Sequence, residues 1–277
     1  MKIFSKISVL QNYLVGKNNV FVPTMGGLHQ GHLSLIEIAT NNAKIIDGIV
    51  VVSIFLNPAQ FGKNEDLSTY PQSLEDDIVQ LKKSGVDVVF VPTVEEIYLD
   101  NYIFNYQIGE FANILCAKSR PDFFPGIAKV VFRLFDIIKP KIAIFGEKDF
   151  QQLAIIKKMV IDLNLNIQIL SGKIIRENSG LALSTRNKYL DKNSLKIASN
   201  IYKYLQIAKT QVIENKDIET ISIELKNKLQ TNFNLDYCEI LDIDNLGKIT
   251  LNTKNIIILV AVVFKNTRLI DNLIIKK

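Results

Sequence analysis

The feature that most limits how this chain can fold is an alternation running through its first half. Short, wholly apolar runs are separated by longer stretches whose apolar residues recur at helical spacing. The strand-like runs are NVFVP (Asn19–Pro23), IVVVSIFL (Ile49–Leu56), VDVVFVP (Val86–Pro92), KIAIFG (Lys141–Gly146) and NIQIL (Asn166–Leu170). Between them, HLSLIEIATNNA (His32–Ala43), SLEDDIVQLKKSG (Ser73–Gly85), GIAKVVFRLFDIIK (Gly126–Lys139) and DFQQLAIIKKMVIDLN (Asp149–Asn164) read as helices. A strand that is apolar on both faces must be covered on both. Helix-length crossovers between such strands point to a parallel, doubly wound α/β sheet. Sheets of this kind place ligands outside the carboxyl ends of their strands.

The character changes after about Ser171. Ser194–Glu214 carries a helical stripe of Ile197, Ile201, Tyr204, Leu205, Ala208 and Val212, and is expected to be one helix. Asp217–Thr231 reads as a second. LDYCEILD (Leu235–Asp242), NIIILVAVVF (Asn255–Phe264) and TRLIDNLIIK (Thr267–Lys276) follow as strand-like runs with short connections, suited to a small antiparallel sheet. The expected organisation is a Rossmann-like domain over residues 1–172 and a smaller α+β domain over 173–277.

Composition narrows the function classes. A net charge of +5 over 277 residues, with both signs interspersed, provides no basic arm for nucleic acid. The apolar runs are too short to span a bilayer, and the first residues, MKIFSKISVLQNYLVG, lack a signal-peptide cleavage pattern. Cys116 and Cys238 match no metal or redox spacing and read as reduced packing thiols of a cytoplasmic protein.

The chemistry concentrates at PTMGGLHQGH, Pro23–His32, which holds both of the chain's two histidines. It follows a strand and opens a helix. Gly26 and Gly27 allow close backbone approach, and a helix start attracts phosphate. His29 and His32 are three apart and can face one point, where imidazoles would stabilise the charge of a breaking phosphoanhydride. A zinc site would need a third ligand that nothing nearby supplies. Polar residues also cluster at other strand ends. Asn57 and Gln60 follow the Ile49 strand and suit a small polar substrate. Lys148 follows the Lys141 strand as a natural phosphate ligand, with Asp149 in a helix-capping position and Gln152 in the next turn. Ser184, Thr185 and Arg186 lie in a loop at the domain junction that could close over a triphosphate.

PTMGGLHQGHLSL, VVSIFLNPAQF, NEDLSTYPQSLEDD, FGEKDFQQLAIIKKMV, GLALSTRNKYL and TRLIDN, taken in that order, resemble the pantoate–β-alanine ligase (pantothenate synthetase) family. That family belongs to the HxGH nucleotidyltransferase superfamily, related to class I aminoacyl-tRNA synthetases. The resemblance implies that pantoate's carboxylate attacks the α-phosphorus of ATP, giving pantoyl adenylate and pyrophosphate. The amine of β-alanine then attacks the activated carbonyl and releases AMP. It also implies a magnesium requirement, a cytoplasmic homodimer and a C-terminal domain acting as a lid. Carried over by position, Met25, Gly26, Gly27, Leu28, His29, Gln30, Gly31 and His32 would bind ATP, with His32 as proton donor. Gly146, Glu147, Lys148, Asp149, Ile175, Leu183, Ser184, Thr185 and Arg186 would complete the ATP site. His29, His32, Lys148 and Arg186 form the expected catalytic set. Gln60 would contact pantoate and β-alanine, with Gln152 and Asn57 also at the pantoate. Asp76, Asp77 and Gln80 are the candidate magnesium ligands.

The segment RPDFFPGIAKVV (Arg120–Val131) departs from the family's pattern. Phe123 stands where the family has histidine, Pro125 where it has arginine and Lys129 where it has threonine, so no third histidine assists. Two rival readings remain at this point. One is an adenylyltransferase of the same superfamily with a phosphorylated acceptor, which would need more cationic residues than Asn57, Gln60 and Gln152 supply. The other is a non-catalytic nucleotide- or RNA-binding protein, which would not be expected to retain His29, His32, Lys148 and Arg186.

Overall fold

A computed structural model describes residues 1–62, 65–98 and 102–276. Asn64, the first residue of NEDLSTYPQSLEDD, lies outside them. The chain forms two compact units, Met1–Lys173 and Ile174–Lys277. Among the described residues no helix is long and apolar enough to cross a membrane.

The first unit is built on six parallel strands: β1 (Lys2–Phe4), β2 (Asn19–Thr24), β3 (Ile49–Ile54), β4 (Val88–Phe90), β5 (Ile142–Gly146) and β6 (Gln168–Gly172), in the order β1-β4-β3-β2-β5-β6. Its helices are α1 (Ile7–Leu14), α2 (Gln30–Ile45), α3 (Leu74–Lys83), α4 (Val94–Ile97), α5 (Cys116–Ser119), α6 (Phe123–Ile138) and α7 (Phe150–Asp162). Val20, Phe21 and Val22 of β2, and Val51 and Val52 of β3, are fully buried, as strands covered on both faces must be. The apolar stripe of α2 (Leu35, Ile36, Ala39, Ala43) packs with Val20, Val22, Val50 and Val52 in one core cluster.

Two glycines set how closely the layers approach. A Cβ on Gly172 would lie 2.2 Å from Leu35 Cδ2, and one on Gly126 would lie 2.1 Å from the carbonyl oxygen of Ala59. Gly126 thus lets α6 lie against the short 3₁₀ turn Pro58–Gln60. Helix α6 begins three residues before the expected Gly126. Pro125 is no obstacle there, because the first helical turn leaves its N–H groups without helical partners in any case. The pair β1 and α1 was not expected from sequence.

The second unit pairs β7 (Asn234–Asp242), β8 (Asn255–Phe264) and β9 (Thr267–Lys276) antiparallel in the order β7-β8-β9. The β8–β9 turn places Lys265 and Asn266 at φ 46° and 61°, the geometry of a two-residue hairpin turn. The single helix expected over Ser194–Glu214 is two, α8 (Lys192–Ala198) and α9 (Asn200–Ile213). The break falls at Ser199, whose buried hydroxyl donates to the Lys196 carbonyl at 2.7 Å and competes with the helical ladder. Helix α10 (Ile218–Gln230) follows. Ile201, Leu205 and Ala208 of α9 and Ile221, Leu225 and Leu229 of α10 share a core with Ile256, Ile258, Val260 and Val262 of β8.

Candidate active site

The chain winds outward from β2 through β3 to β4 on one side, and through β5 to β6 on the other. The order reverses between β2 and β5, which pair directly. The carboxyl ends of these two strands flank the crevice where such sheets bind ligands. β2 ends in the turn carrying Met25–His29, and β5 ends in the 3₁₀ turn Glu147–Asp149.

Gly26 and Gly27 hold φ of 83° and 65°, where a side chain is strained. The turn they form is held from beneath by Asp77, which is 2% exposed. One Asp77 oxygen accepts the Gly27 N–H and the other the Leu28 N–H, each at 2.8 Å. Thr24 Oγ1 accepts the Gly26 N–H at 3.3 Å and donates to the Ser53 carbonyl at 2.7 Å.

The two histidines cap the following helix reciprocally. The Gly31 N–H donates to His29 Nδ1 at 3.1 Å, and the His29 N–H donates to His32 Nδ1 at 3.3 Å. The His32 and Leu33 N–H groups both donate to the His29 carbonyl. The helix start is therefore partly capped from within. Because each Nδ1 accepts, each neutral ring carries its proton on Nε2 and can donate there. The rings lie 4.1 Å apart between centroids. Desolvation of the half-buried His32 ring, assisted by the Lys148 cation, lowers its pKa from 6.5 to about 4. Lys148, from the adjoining strand, is thus electrically coupled to the β2 turn. Its Nζ also lies 3.9 Å from Asp149 Oδ2. Asp149 makes no side-chain capping bond to α7, contrary to the expectation that it caps that helix. Glu147 instead accepts from Ser171 Oγ at 2.8 Å.

Gln60 joins this region through Met25, with its Nε2 2.7 Å from Met25 Sδ. Its Oε1 accepts from Asn57 Nδ2 at 3.2 Å. Asn57, expected at the pantoate, is only 1% exposed, and its amide is engaged on all sides. Its Nδ2 also donates to the Gly126 carbonyl, while its Oδ1 accepts from the Ala59 N–H and from the Tyr98 hydroxyl. These bonds are all to protein groups, and the one to Gln60 orients that side chain. The two glutamines of α7 divide similarly. Gln151 is buried and bonds the Cys116 N–H and the Phe111 and Ile114 carbonyls, whereas Gln152 is half-buried.

The expected magnesium ligands form no cage. Asp76 is exposed, Gln80 half-buried, and both Asp77 oxygens hold the glycine turn. Among the described residues no group of three or more His, Cys, Asp or Glu is placed to hold a metal.

The second unit assembles its own group. A turn closed by the Arg176–Ala182 bridge, with Gly180 at φ 91°, leads through Leu183 into the 3₁₀ turn Thr185–Tyr189. Arg176 anchors it. Its guanidinium donates twice to buried Asp271, at 2.7 and 2.8 Å, and once to the Gly180 carbonyl. Ser184 Oγ caps the 3₁₀ turn by accepting the Arg186 N–H. Ile175, Leu183, Ser184 and Arg186 are half-buried and Thr185 is buried.

Sequence reasoning missed Asp77, Gln151, Tyr98 and Arg176 as the groups that hold these segments. For Asp77 a signal existed, since it lies four residues before the fully buried Leu81.

A sequence model of the family described as pantoate-beta-alanine ligase matches residues 2–274. The pantothenate synthetase of Ruthia magnifica is 52% identical over 262 residues, covering 95% of this chain and 92% of that protein. That of Thermosipho africanus is 44% identical over 284 residues, covering 99% of this chain and 100% of that protein. Among solved structures, Thermus thermophilus pantothenate synthetase superposes with a TM-score of 0.93 at 36% identity, covering 99% of both chains. A pantoate-β-alanine ligase from Francisella tularensis, solved in complex with "Beta-gamma ATP" and β-alanine, gives 0.78 at 36% identity, covering 99% of this chain and 97% of that one. With the HxGH turn, the strand-end lysine and the two-unit architecture spanned end to end by these relatives, the chain belongs to the pantoate–β-alanine ligase family and is a ligase that joins pantoate to β-alanine.

Proposed function

We propose that the ligation proceeds in two steps through a pantoyl adenylate, with ATP as the activating substrate. Pantoate's carboxylate oxygen bonds to the α-phosphorus as the bond to pyrophosphate breaks. The amine of β-alanine then bonds to the acyl carbon, loses a proton, and AMP leaves. The observation that carries this reading is the pairing of β2 and β5, whose ends lead into the HxGH turn and into Lys148, beside a Gln60 that touches Met25 of the first turn.

Within this reading His32 is neutral at physiological pH and acts through its Nε2–H. It donates a hydrogen bond to the phosphate oxygens as charge builds, as an oxyanion donor does, rather than releasing a proton. His29 donates alongside it. Lys148 supplies fixed positive charge, and Gln60 and Gln152 orient pantoate. Ser184, Thr185 and Arg186 supply two hydroxyls and a guanidinium suited to phosphate oxygens. Magnesium enters with ATP as part of that substrate, because the acidic residues at Asp76 and Asp77 do not form a resident cage for it.

The test is exchange of labelled pyrophosphate into ATP. Exchange should require pantoate and proceed without β-alanine, and adding β-alanine should release AMP and pantothenate in equal amounts. Exchange that depends on β-alanine would rule out the adenylate.

A further inference from the structure

Arg120 lies beside the acceptor segment, just before α6. An arginine near a pocket for two carboxylate substrates reads first as a clamp for one of them. Its contacts argue otherwise. Nε and Nη2 donate to the two oxygens of Glu65, each at 2.5 Å, and Nη2 also donates to the Gln60 carbonyl at 3.1 Å. The guanidinium carbon lies over the Phe123 ring, 3.5 Å from its centroid. Phe123 in turn stands edge-on to Phe124, at 4.9 Å, and Phe124 is fully buried. The Arg120 and Glu65 side chains retain only 15% and 26% of their exposure, so the pair is shielded and its two charges balance. The segment that carries Glu65 is closed further along by an edge-to-face contact of Phe61 with Tyr70 at 6.1 Å.

We infer that Arg120, seated on Phe123 and paired with Glu65, is a positioning residue that fixes the backbone of Gln60 for the two acceptor substrates. A continuous support runs from the core through Phe124, Phe123 and Arg120 to Gln60 and Glu65. It gives the phenylalanine at position 123 a defined task, because a neutral aromatic face is a good seat for a guanidinium. The inference rests on the assignment of Gln60 to pantoate and β-alanine, and the experiment separates the two.

Steady-state constants are compared for Glu65→Ala, Arg120→Lys and Gln60→Ala. Lysine cannot reproduce the fork or the stack, so Arg120→Lys should raise the KM for pantoate and for β-alanine by about tenfold, the scale of one lost charge-assisted hydrogen bond. The KM for ATP should hold within about twofold, since the phosphate-side residues are carried by β2 and β5. Glu65→Ala is decisive. The positioning role predicts the same rise, whereas a guanidinium that binds a substrate carboxylate directly would be released from its partner and the KM would fall or stay level. A level or lower KM in Glu65→Ala, with a raised KM in Gln60→Ala, overturns the inference alone. An unchanged KM in Gln60→Ala overturns the assignment of Gln60 and the inference with it.

Discussion

Stability should fall as the pH drops from 7 to 5, and His32 should carry the fall. In the unfolded chain its imidazole takes up a proton near 6.5, but in the fold desolvation and the Lys148 cation delay this to about 4. Between those values the unfolded state binds more protons than the native state, so stability declines as pH declines. Well above 6.5 both states are neutral and no difference arises. Integrating the two titrations from pH 7 to pH 5, with values of 6.5 and about 4, gives a loss of about 2 kcal/mol. The window is favourable, because the chain has only two histidines and most carboxylates titrate lower. The assay is urea unfolding at intervals from pH 7.5 to 5 for the native chain and for His32→Asn, whose Oδ1 can still accept the His29 N–H. The native-minus-variant difference should shrink by about 2 kcal/mol across the range. Parallel curves would refute the reasoning, because they would mean that His32 takes up its proton in the fold as readily as in the unfolded chain.

Two further substitutions separate support from ligation. Asp77→Asn places an amide nitrogen against a backbone donor of the glycine turn, so it should cost about 1–3 kcal/mol and raise the KM for ATP. The magnesium concentration at half-maximal activity should hold, and a shift there with an unchanged melting temperature would assign Asp77 to the metal. Gln151→Ala should lower stability by about 2–3 kcal/mol by orphaning buried backbone groups, with little change in pantoate affinity. Gln152→Ala should do the reverse, and calorimetry beside pantoate titration reads both; a variant pair with the two effects exchanged would invert the assignment.

The parallel sheet was legible because β2, β3 and β5 are apolar on both faces, a pattern that little else produces. The edge pair β1 and α1 was not, since a three-residue strand leaves almost no periodic signal. The break at Ser199 was hidden for another reason. The apolar stripe continues through it, and only the serine's hydroxyl, bonded to the Lys196 carbonyl, interrupts the ladder. Pattern reports which face is buried and says little about a local contest for one carbonyl.

The site shows where residue chemistry stops being enough. PTMGGLHQGH reads as a glycine-rich strand-to-helix turn, yet it does not say that Asp77, fifty positions on, holds the turn in shape. Adjacent polar residues posed the same difficulty twice, in Asp76 beside Asp77 and Gln151 beside Gln152. Neighbours on a helix point about 100° apart, so one can face the interior while the other faces the ligand. For the aspartates, phase decides which: Asp77 is in step with fully buried Leu81, whereas Asp76 is in step with half-buried Gln80. For the glutamines it does not, because Gln151 and Gln152 each precede a fully buried isoleucine by four, Ile155 and Ile156, and only the fold shows which side chain turns inward. Asn57 could not be sorted in this way, because it begins a 3₁₀ turn with no stripe to be in step with. Its polar atoms are used up by Gly126 and Tyr98, far along the chain, and only the fold brings those partners to it.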